Sequence, residues 1–509
     1  GGLTSLHTRS GEIREVGRKN HFMEKMISFG WPNEVNSVPV QQYCLGEDGD
    51  SGERVEYENA LLVTDGFLVP GRDNGGLYVV QQPGDEAEWK VCLAGGESAV
   101  GDEASWFYHR AIWVDLTGDG RLSILTARAK RPSILKNGEG DTSSNLVSHN
   151  NINGGGKSNG NGQLVWLERP KPYKYDKETN TPLDVDGTVF DPFSARNTPW
   201  KVRVLDSGPD VMFSVADMDT QDGTIEVIAS QFFGKCISLH SIKIGPTPFV
   251  SFSRIIDATC GASFSSLLAN LDPQQTMSPG IVIDSGSTVP TLKKGDFFTH
   301  LLVTSHECTF EHEDSTKTPS TTTQKSSPKQ TIRMEGPIDG GSLFAYNIPP
   351  NWKTDTWERT VMATGFKVKT QIWNMINPGA PGFCYTFYPS LKCNQERKTR
   401  PLIGISGDCA EAAYLLRPVV TSAAAAASTD YTLMAEIDTG GTVGSIAIGY
   451  DDFCGVEGQS KGDVKIYVPS FEQGKILVFA LGNGEEDEEC DDWDEECLRA
   501  KDNYINTRL

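Results

Sequence analysis

Residues 212–261 decide the fold, reading MFSVADM (212–218), TIEVIAS (224–230), CISLHSI (236–242) and FSRIIDATCG (252–261). Four short runs rich in β-branched and aromatic residues follow one another between Gly, Asp, Asn and Pro, as strands do. The last run opens on an aromatic residue and closes on glycine. Five more segments share that form: FMEKMISFG (22–30), WKVCLAG (89–95), WKVRVLDSG (200–208), WERTVMATG (357–365) and YTLMAEIDTG (431–440). Their starts lie 52 to 111 residues apart, a unit with large insertions. A repeat of about fifty residues is the size of one four-stranded propeller blade.

Working outward, the other strands of each unit fall into the same order. Third strands read GLYVV (76–80), QLVWLERP (163–170), SLFAYNI (342–348), AAYLLRP (412–418) and GKILVFAL (474–481). Second strands read NALLVTD (59–65), LSILTA (122–127), THLLVTS (299–305), RPLIGIS (400–406) and DVKIYVP (463–469). Innermost runs are VPVQQYC (38–44), AIWVDL (111–116), SSLLANL (265–271), FCYTFYP (383–389) and GSIAIGY (444–450). The expected fold is all-β, a six-bladed β-propeller of four-stranded blades, with seven blades as the alternative. Blades are expected at 38–96, 110–208, 211–261, 263–366, 382–441 and 443–482, one domain over 1–482, followed by an acidic tail at 483–509. The segment 22–29 is an outer strand without a blade, and the last blade lacks its outer strand. Pairing 22–29 with 475–481 would close the ring and remove an exposed edge.

Composition bounds the partners. A net charge of −22 argues against nucleic acid. No stretch approaches 18 continuous apolar residues, so no membrane insertion is expected. The opening GGLTSLHTRSGE carries no basic-plus-apolar signal region, which reads as a mature form or a cytosolic chain. Eleven cysteines without a CxxC pair exclude a zinc finger and favour an oxidising, extracellular compartment. Cys490 and Cys497 could close a tail loop, Cys236 and Cys260 lie on neighbouring strands, and Cys384 and Cys393 bracket a loop.

Low-complexity tracts at 137–162 and 314–331 join second to third strands, so they decorate one face together with SAAAAAS (422–428). Loop elaboration on one face is how such scaffolds carry binding. The expected partners are a protein or glycan on that face, or further copies of the chain.

Two loops after inner strands carry the sharpest chemistry. One is Asp115-Leu-Thr117-Gly-Asp119-Gly120; the other is Asp217-Met-Asp219-Thr-Gln221-Asp222-Gly223. Oxygen side chains at alternate positions before a glycine turn can wrap a hard cation such as calcium. The bland alternative is an Asx-rich turn with no metal. Asn270-Leu-Asp272 and Glu47-Asp48-Gly49-Asp50 read as turns.

VDLTGDGRLSILTA and VADMDTQDGTIEVIAS resemble repeats of FG-GAP/VCBS-type propellers, including integrin-α ectodomains, whose D-x-D-x-D-G loops bind calcium. The resemblance implies the ligands Asp115, Thr117 and Asp119, and Asp217, Asp219 and Asp222. Ser123 replaces the final acidic ligand of the first loop, and the second loop has one extra residue. A second resemblance, carried by blade order and ISGDCAEAAYLLRP (405–418), is to the propeller of aldos-2-ulose dehydratase-like proteins. Those are lyases acting on oxidised sugars, with cupin-type domains that these 509 residues do not contain.

The same rim would hold Trp106 to Arg110, His149, His306-Glu307, Glu311-His312 and Asp408. Imidazoles and carboxylates converging there could hold zinc or act as acid and base. His109, His306 and Asp408 are the candidates of that enzyme alternative, a sugar-active lyase. No nucleophile elbow, phosphate loop or HExxH motif occurs. The leading expectation is an extracellular calcium-binding propeller that acts as a binding or assembly module.

Overall fold

A computed structural model describes residues 8–9, 12–13, 32–38, 60–66, 74–81, 89–96, 99, 105–130, 161–179, 181–220, 222–273, 280–286, 292–306, 332–333, 340–369, 379–419, 428–450, 462 and 464–481. Its strands form the six sheets of a six-bladed β-propeller, as the repeat predicts. The chain divides into two compact units. The first holds 1–211 with 244–249, and the second holds 212–243 with 250–509.

In the first unit, blade one orders Pro32–Ser37, Ala60–Asp65, Gly76–Gln81 and Trp89–Gly95. Blade two orders Trp106–Val114, Ser123–Lys130, Gly162–Glu168 and Lys201–Ser207. In the second unit, blade three runs Phe213–Asp217, Thr224–Gln231, Cys236–Lys243 and Phe249–Asp257, and blade four runs Leu267–Ala269, His300–Ser305, Ser342–Asn347 and Glu358–Thr364. Blade five runs Cys384–Phe387, Leu402–Ser406, Ala412–Pro418 and Tyr431–Asp438. Blade six shows Ala447–Tyr450, Val464–Ser470 and Lys475–Leu481. Segment 22–29, expected to close that sheet, lies outside the described residues, as does the tail.

Middle strands are buried along their length because they are covered on both faces, whereas outer strands alternate. Thr224–Gln231 is buried at every position, while Phe249–Asp257 alternates exposed and half-buried. Blades four and five pack through Leu302, Leu343, Phe366, Ile403 and Tyr414, with Phe366 edge-on to Tyr414 at 5.0 Å. Burying one such aromatic contributes roughly 2–3 kcal/mol.

Two local readings need correction. The innermost strand of blade one is Pro32–Ser37, ahead of the apolar run 38–44 that the pattern selects. PNEVNS lacks an apolar run, and its polar side chains are what seat it. Asn33 Nδ2 donates to the carbonyls of Gly66 (2.6 Å) and Tyr108 (2.7 Å), and Asn36 Nδ2 donates to that of Ala111 (2.8 Å). The second correction concerns blade three, where Ile281–Asp284 adds a fifth strand beside Phe213–Asp217. Gly286 follows it at φ 93°, where a side chain is strained and a Cβ would stand 1.9 Å from the carbonyl oxygen of Ser266.

Hydroxyls at the ends of second strands join consecutive blades. Ser230 Oγ donates to the carbonyl of Ser265 (2.8 Å), Thr304 Oγ1 to that of Gly382 (2.6 Å) and Ser406 Oγ to that of Gly444 (3.3 Å). In the first unit Thr64 Oγ1 donates to the carbonyl of His109 at 3.0 Å. These are the Thr or Ser near the ends of VTD, IAS, VTS and GIS, so the repeat carries its own inter-blade fastening.

Candidate functional site

The loop 217–223 leaves the inner strand of blade three with its first carboxylate half-buried. Asp217 Oδ1 is enclosed and has no hydrogen-bond partner among the described residues. Burial raises the Asp217 carboxyl above its usual range, and the charges of Asp222 and Asp219 add to this. Asp222 Oδ1 accepts the backbone N–H (2.8 Å) and hydroxyl of Thr224, and its Oδ2 lies 3.4 Å from Lys353 Nζ.

A fourth acid completes this cluster. Glu226 is fully buried, its Oε2 accepting Met218 N–H at 2.9 Å and its Oε1 the Thr224 hydroxyl at 2.9 Å. Burial raises this carboxyl too, with Asp222 contributing. The sequence reading missed Glu226. Its signal was present: Glu226 stands three residues after Gly223, as Ser123 stands three after Gly120. Once the extra residue of this loop is allowed for, Glu226 holds the closing acidic position that Ser123 leaves empty.

The loop 115–120 is closed on itself. Asp115 Oδ1 accepts N–H groups from Thr117 (3.0 Å) and Gly118 (2.8 Å) and the Thr117 hydroxyl (3.2 Å); Oδ2 accepts Gly120 N–H at 2.8 Å. Asp119 Oδ1 accepts Arg121 N–H at 3.1 Å, and its Oδ2 lies 3.7 Å from the Arg121 guanidinium. Ser123 is buried between the Val114 carbonyl (3.0 Å) and Trp166 Nε1 (2.7 Å). This is an Asx-capped turn with its oxygens in use.

Calcium needs several hard oxygen donors. Asp217, Asp219, Asp222 and Glu226 offer oxygens of that kind, though Asp222 and Glu226 already have both oxygens engaged. In the other loop both Asp115 oxygens already accept amide N–H groups of Thr117, Gly118 and Gly120. Among the described residues, no three His, Cys, Asp or Glu side chains stand arranged as a ready metal cage.

The structure brings together two of the three residues of the enzyme alternative. His306 follows the second strand of blade four and is 6% exposed. Its ring stacks on Phe264 (centroids 4.9 Å apart) and meets Phe232 edge-on at 5.3 Å. His306 Nε2 lies 3.8 Å from Asp408 Oδ2. A Cβ on residue 379 would fall 2.1 Å from His306 Nδ1, so only glycine fits beneath the ring. Asp408 adopts a left-handed φ of 51° and exchanges backbone hydrogen bonds with Val443 (2.9 and 3.2 Å). Burial pushes its carboxyl up to about 7, with Glu472 adding to the shift. An imidazole facing such a carboxyl can exchange a proton near neutral pH.

His109 belongs to the first unit, edge-on to Phe107 at 5.3 Å. Burial lowers it to about 3, which keeps it neutral. His149, Glu307, Glu311, His312, the Glu47–Asp50 turn and most of both low-complexity tracts lie outside the described residues. Cys236, Cys260, Cys384 and Cys393 are free thiols, so neither suggested pair among them is formed. Cys384 instead lies on an inner strand, 3.3 Å from Ser265 Oγ. Cys490 and Cys497 are outside the described residues.

No family model matches the chain, and no curated protein matches it. Among solved structures it is similar to an N-acetylgalactosamine deacetylase from F. plautii in complex with blood group B trisaccharide. That likeness has 10% identity, covers 80% of this chain and 92% of that one, and has a TM-score of 0.28. The fold assignment rests on strand order and register within the six sheets.

Proposed function

We propose that this chain is an extracellular calcium-binding β-propeller that works as a binding or assembly module, with a protein or glycan as the partner of its loop-bearing face. One observation carries the calcium reading: Asp217 Oδ1 is buried beside the acids of its own loop, with no hydrogen-bond partner among the described residues. Burying a carboxylate oxygen unsatisfied is costly, and a bound cation removes that cost. Asp217, Asp219, Asp222 and Glu226 would hold the ion. When bound, calcium neutralises their repulsion and ties the end of Phe213–Asp217 to the start of Thr224–Gln231. A binding face built on those strands then gains a fixed base.

The test is calcium titration of chelator-treated protein, followed by thermal unfolding. Ligand that binds only the folded state raises the melting temperature by linkage. Asp217→Asn and Glu226→Gln should abolish the rise, while Asp115→Asn should leave it in place. No shift at millimolar calcium in the unaltered chain would overturn the reading.

The facing of His306 and Asp408 favours a second reading, the sugar-active lyase using the histidine-bearing rim. In that reading the pair moves a proton at the ligand, inside an aromatic wall of Phe232, Phe264 and Phe383. Dehydration of an oxidised sugar that is lost in His306→Ala would establish it over the binding module.

A further inference from the structure

We propose that Ser428 and His300 form a nucleophile and base that cleave acyl esters, an activity separate from both readings above. Ser428 Oγ lies 3.2 Å from His300 Nε2, and His300 Nδ1 lies 2.7 Å from the Thr299 hydroxyl. A serine on one ring nitrogen and a fixed partner on the other is the arrangement that activates a hydroxyl.

The pair spans two blades. His300 opens the second strand of blade four, and Ser428 ends the SAAAAAS run that precedes the fourth strand of blade five. His300 is buried, and Thr299 N–H beside it donates to the Ala269 carbonyl at 3.0 Å. Thr299 Oγ1 accepts Leu271 N–H at 3.1 Å and has a second lone pair for His300 Nδ1–H. That pattern assigns the tautomer, with Nε2 unprotonated and turned to Ser428. Burial lowers His300 to about 4, so the imidazole is neutral at pH 7, while the charge of Asp272 favours the imidazolium.

Arg400 holds the serine in place. Its Nη1 donates to the carbonyls of Ser428 (3.3 Å) and Asp430 (3.2 Å), and its Nη2 to that of Val419. Val419 N–H in turn donates to the Asp430 carbonyl at 3.0 Å. Ser428 is half-buried, so part of the residue is open to solvent.

Ser428 Oγ attacks the acyl carbon while its proton passes to His300 Nε2. The ester C–O bond breaks, and the departing alkoxide takes that proton and leaves as the alcohol. Water then adds to the acyl carbon and gives its proton to Nε2. The bond to Oγ breaks, the proton returns to Oγ, and the free acid leaves. A hydroxyl, not a carboxylate, supports Nδ1, which suits an ester with a good leaving group better than an amide.

The experiment treats the intact chain with a fluorophosphonate probe, locates the adduct by peptide mass spectrometry and follows hydrolysis of p-nitrophenyl acetate. The adduct should fall on Ser428 and be absent in Ser428→Ala. His300→Gln should slow labelling about 100-fold or more. Thr299→Val should slow it roughly tenfold, the worth of one hydrogen bond, and Thr299→Ser should restore it. A melting curve for each variant checks that it folds. No adduct on Ser428 in the folded, unaltered chain overturns the proposal, as does an unchanged labelling rate in folded His300→Gln.

Discussion

The two units treat buried polar groups differently. In the first, charges are answered inside the fold. Arg110 pairs with Glu34 where both side chains are almost fully enclosed, and Glu34 Oε2 also accepts Ala111 N–H at 3.1 Å. Asp115 is wrapped by three amides of its own loop, and His109 is kept neutral by burial. In the second unit, Asp217, Glu226 and Asp408 all sit above the usual carboxylate range, with burial the leading cause. Acids held at that cost are candidates for binding a cation or moving a proton. The same repeat thus answers its buried charges in the first unit and leaves raised carboxyls in the second.

The largest expected effect tests whether the first unit is as self-compensated as it looks. Arg110→Met leaves Glu34 buried without its cation and should cost about 3–5 kcal/mol in denaturant unfolding. Adding Glu34→Leu should recover part of the loss, since a matched apolar pair removes the stranded charge. A negligible loss for Arg110→Met would break the contrast between the units.

Both units should respond to pH, in opposite senses: His109, lowered to about 3, loses stability as pH falls below about 6.5, whereas Asp408 loses it as pH rises. With Asp408 pushed up to about 7, the fold holds a proton that the unfolded chain gives up near pH 4. The linked stability is full below about pH 4 and is lost as pH rises toward about 7. Asp408→Asn should flatten that decline, a difference on the order of 4 kcal/mol across the window. Urea midpoints measured from pH 4 to 8 read it directly. An unchanged slope in the variant would remove Asp408 from the contrast.

The smallest effect concerns what the units share. Thr64→Val and Thr304→Val each remove one hydroxyl bond to the next blade, to the carbonyls of His109 and Gly382. Each should cost about 1 kcal/mol in urea midpoints, the net worth of a buried neutral hydrogen bond. A much larger loss at one site would show that the fastening is unequal and sharpen the comparison further.

Strand positions were legible because a blade strand must be short, β-branched and flanked by turn residues wherever it sits. The fastening hydroxyls recur near the ends of four second strands, but which carbonyl of the next blade each reaches is set by packing. PNEVNS was not legible, since its strand character comes from Asn33 and Asn36 reaching carbonyls of blades one and two. Ile281–Asp284 hid within an insertion, and nothing local distinguishes IVID from an apolar loop.

The candidate site was legible in half. Asp217, Asp219 and Asp222 announce themselves by spacing, as Asp115 does. Whether such a loop keeps a free oxygen depends on how its amides turn, and that separates the two loops. Glu226 lay one strand away in a run that reads as core, and Lys353 is over a hundred residues distant in sequence.

By itself, the sequence determined the all-β class, the blade repeat and the order of strands, because alternation, turn residues and repeat length act over a few residues at a time. Tertiary structure alone decided which carboxylates are satisfied, that His306 faces Asp408, and that Lys353 stands over the acidic loop. Those outcomes depend on burial and on neighbours brought together by packing. A residue's charge state and partners are properties of its surroundings, and no local run of sequence contains them.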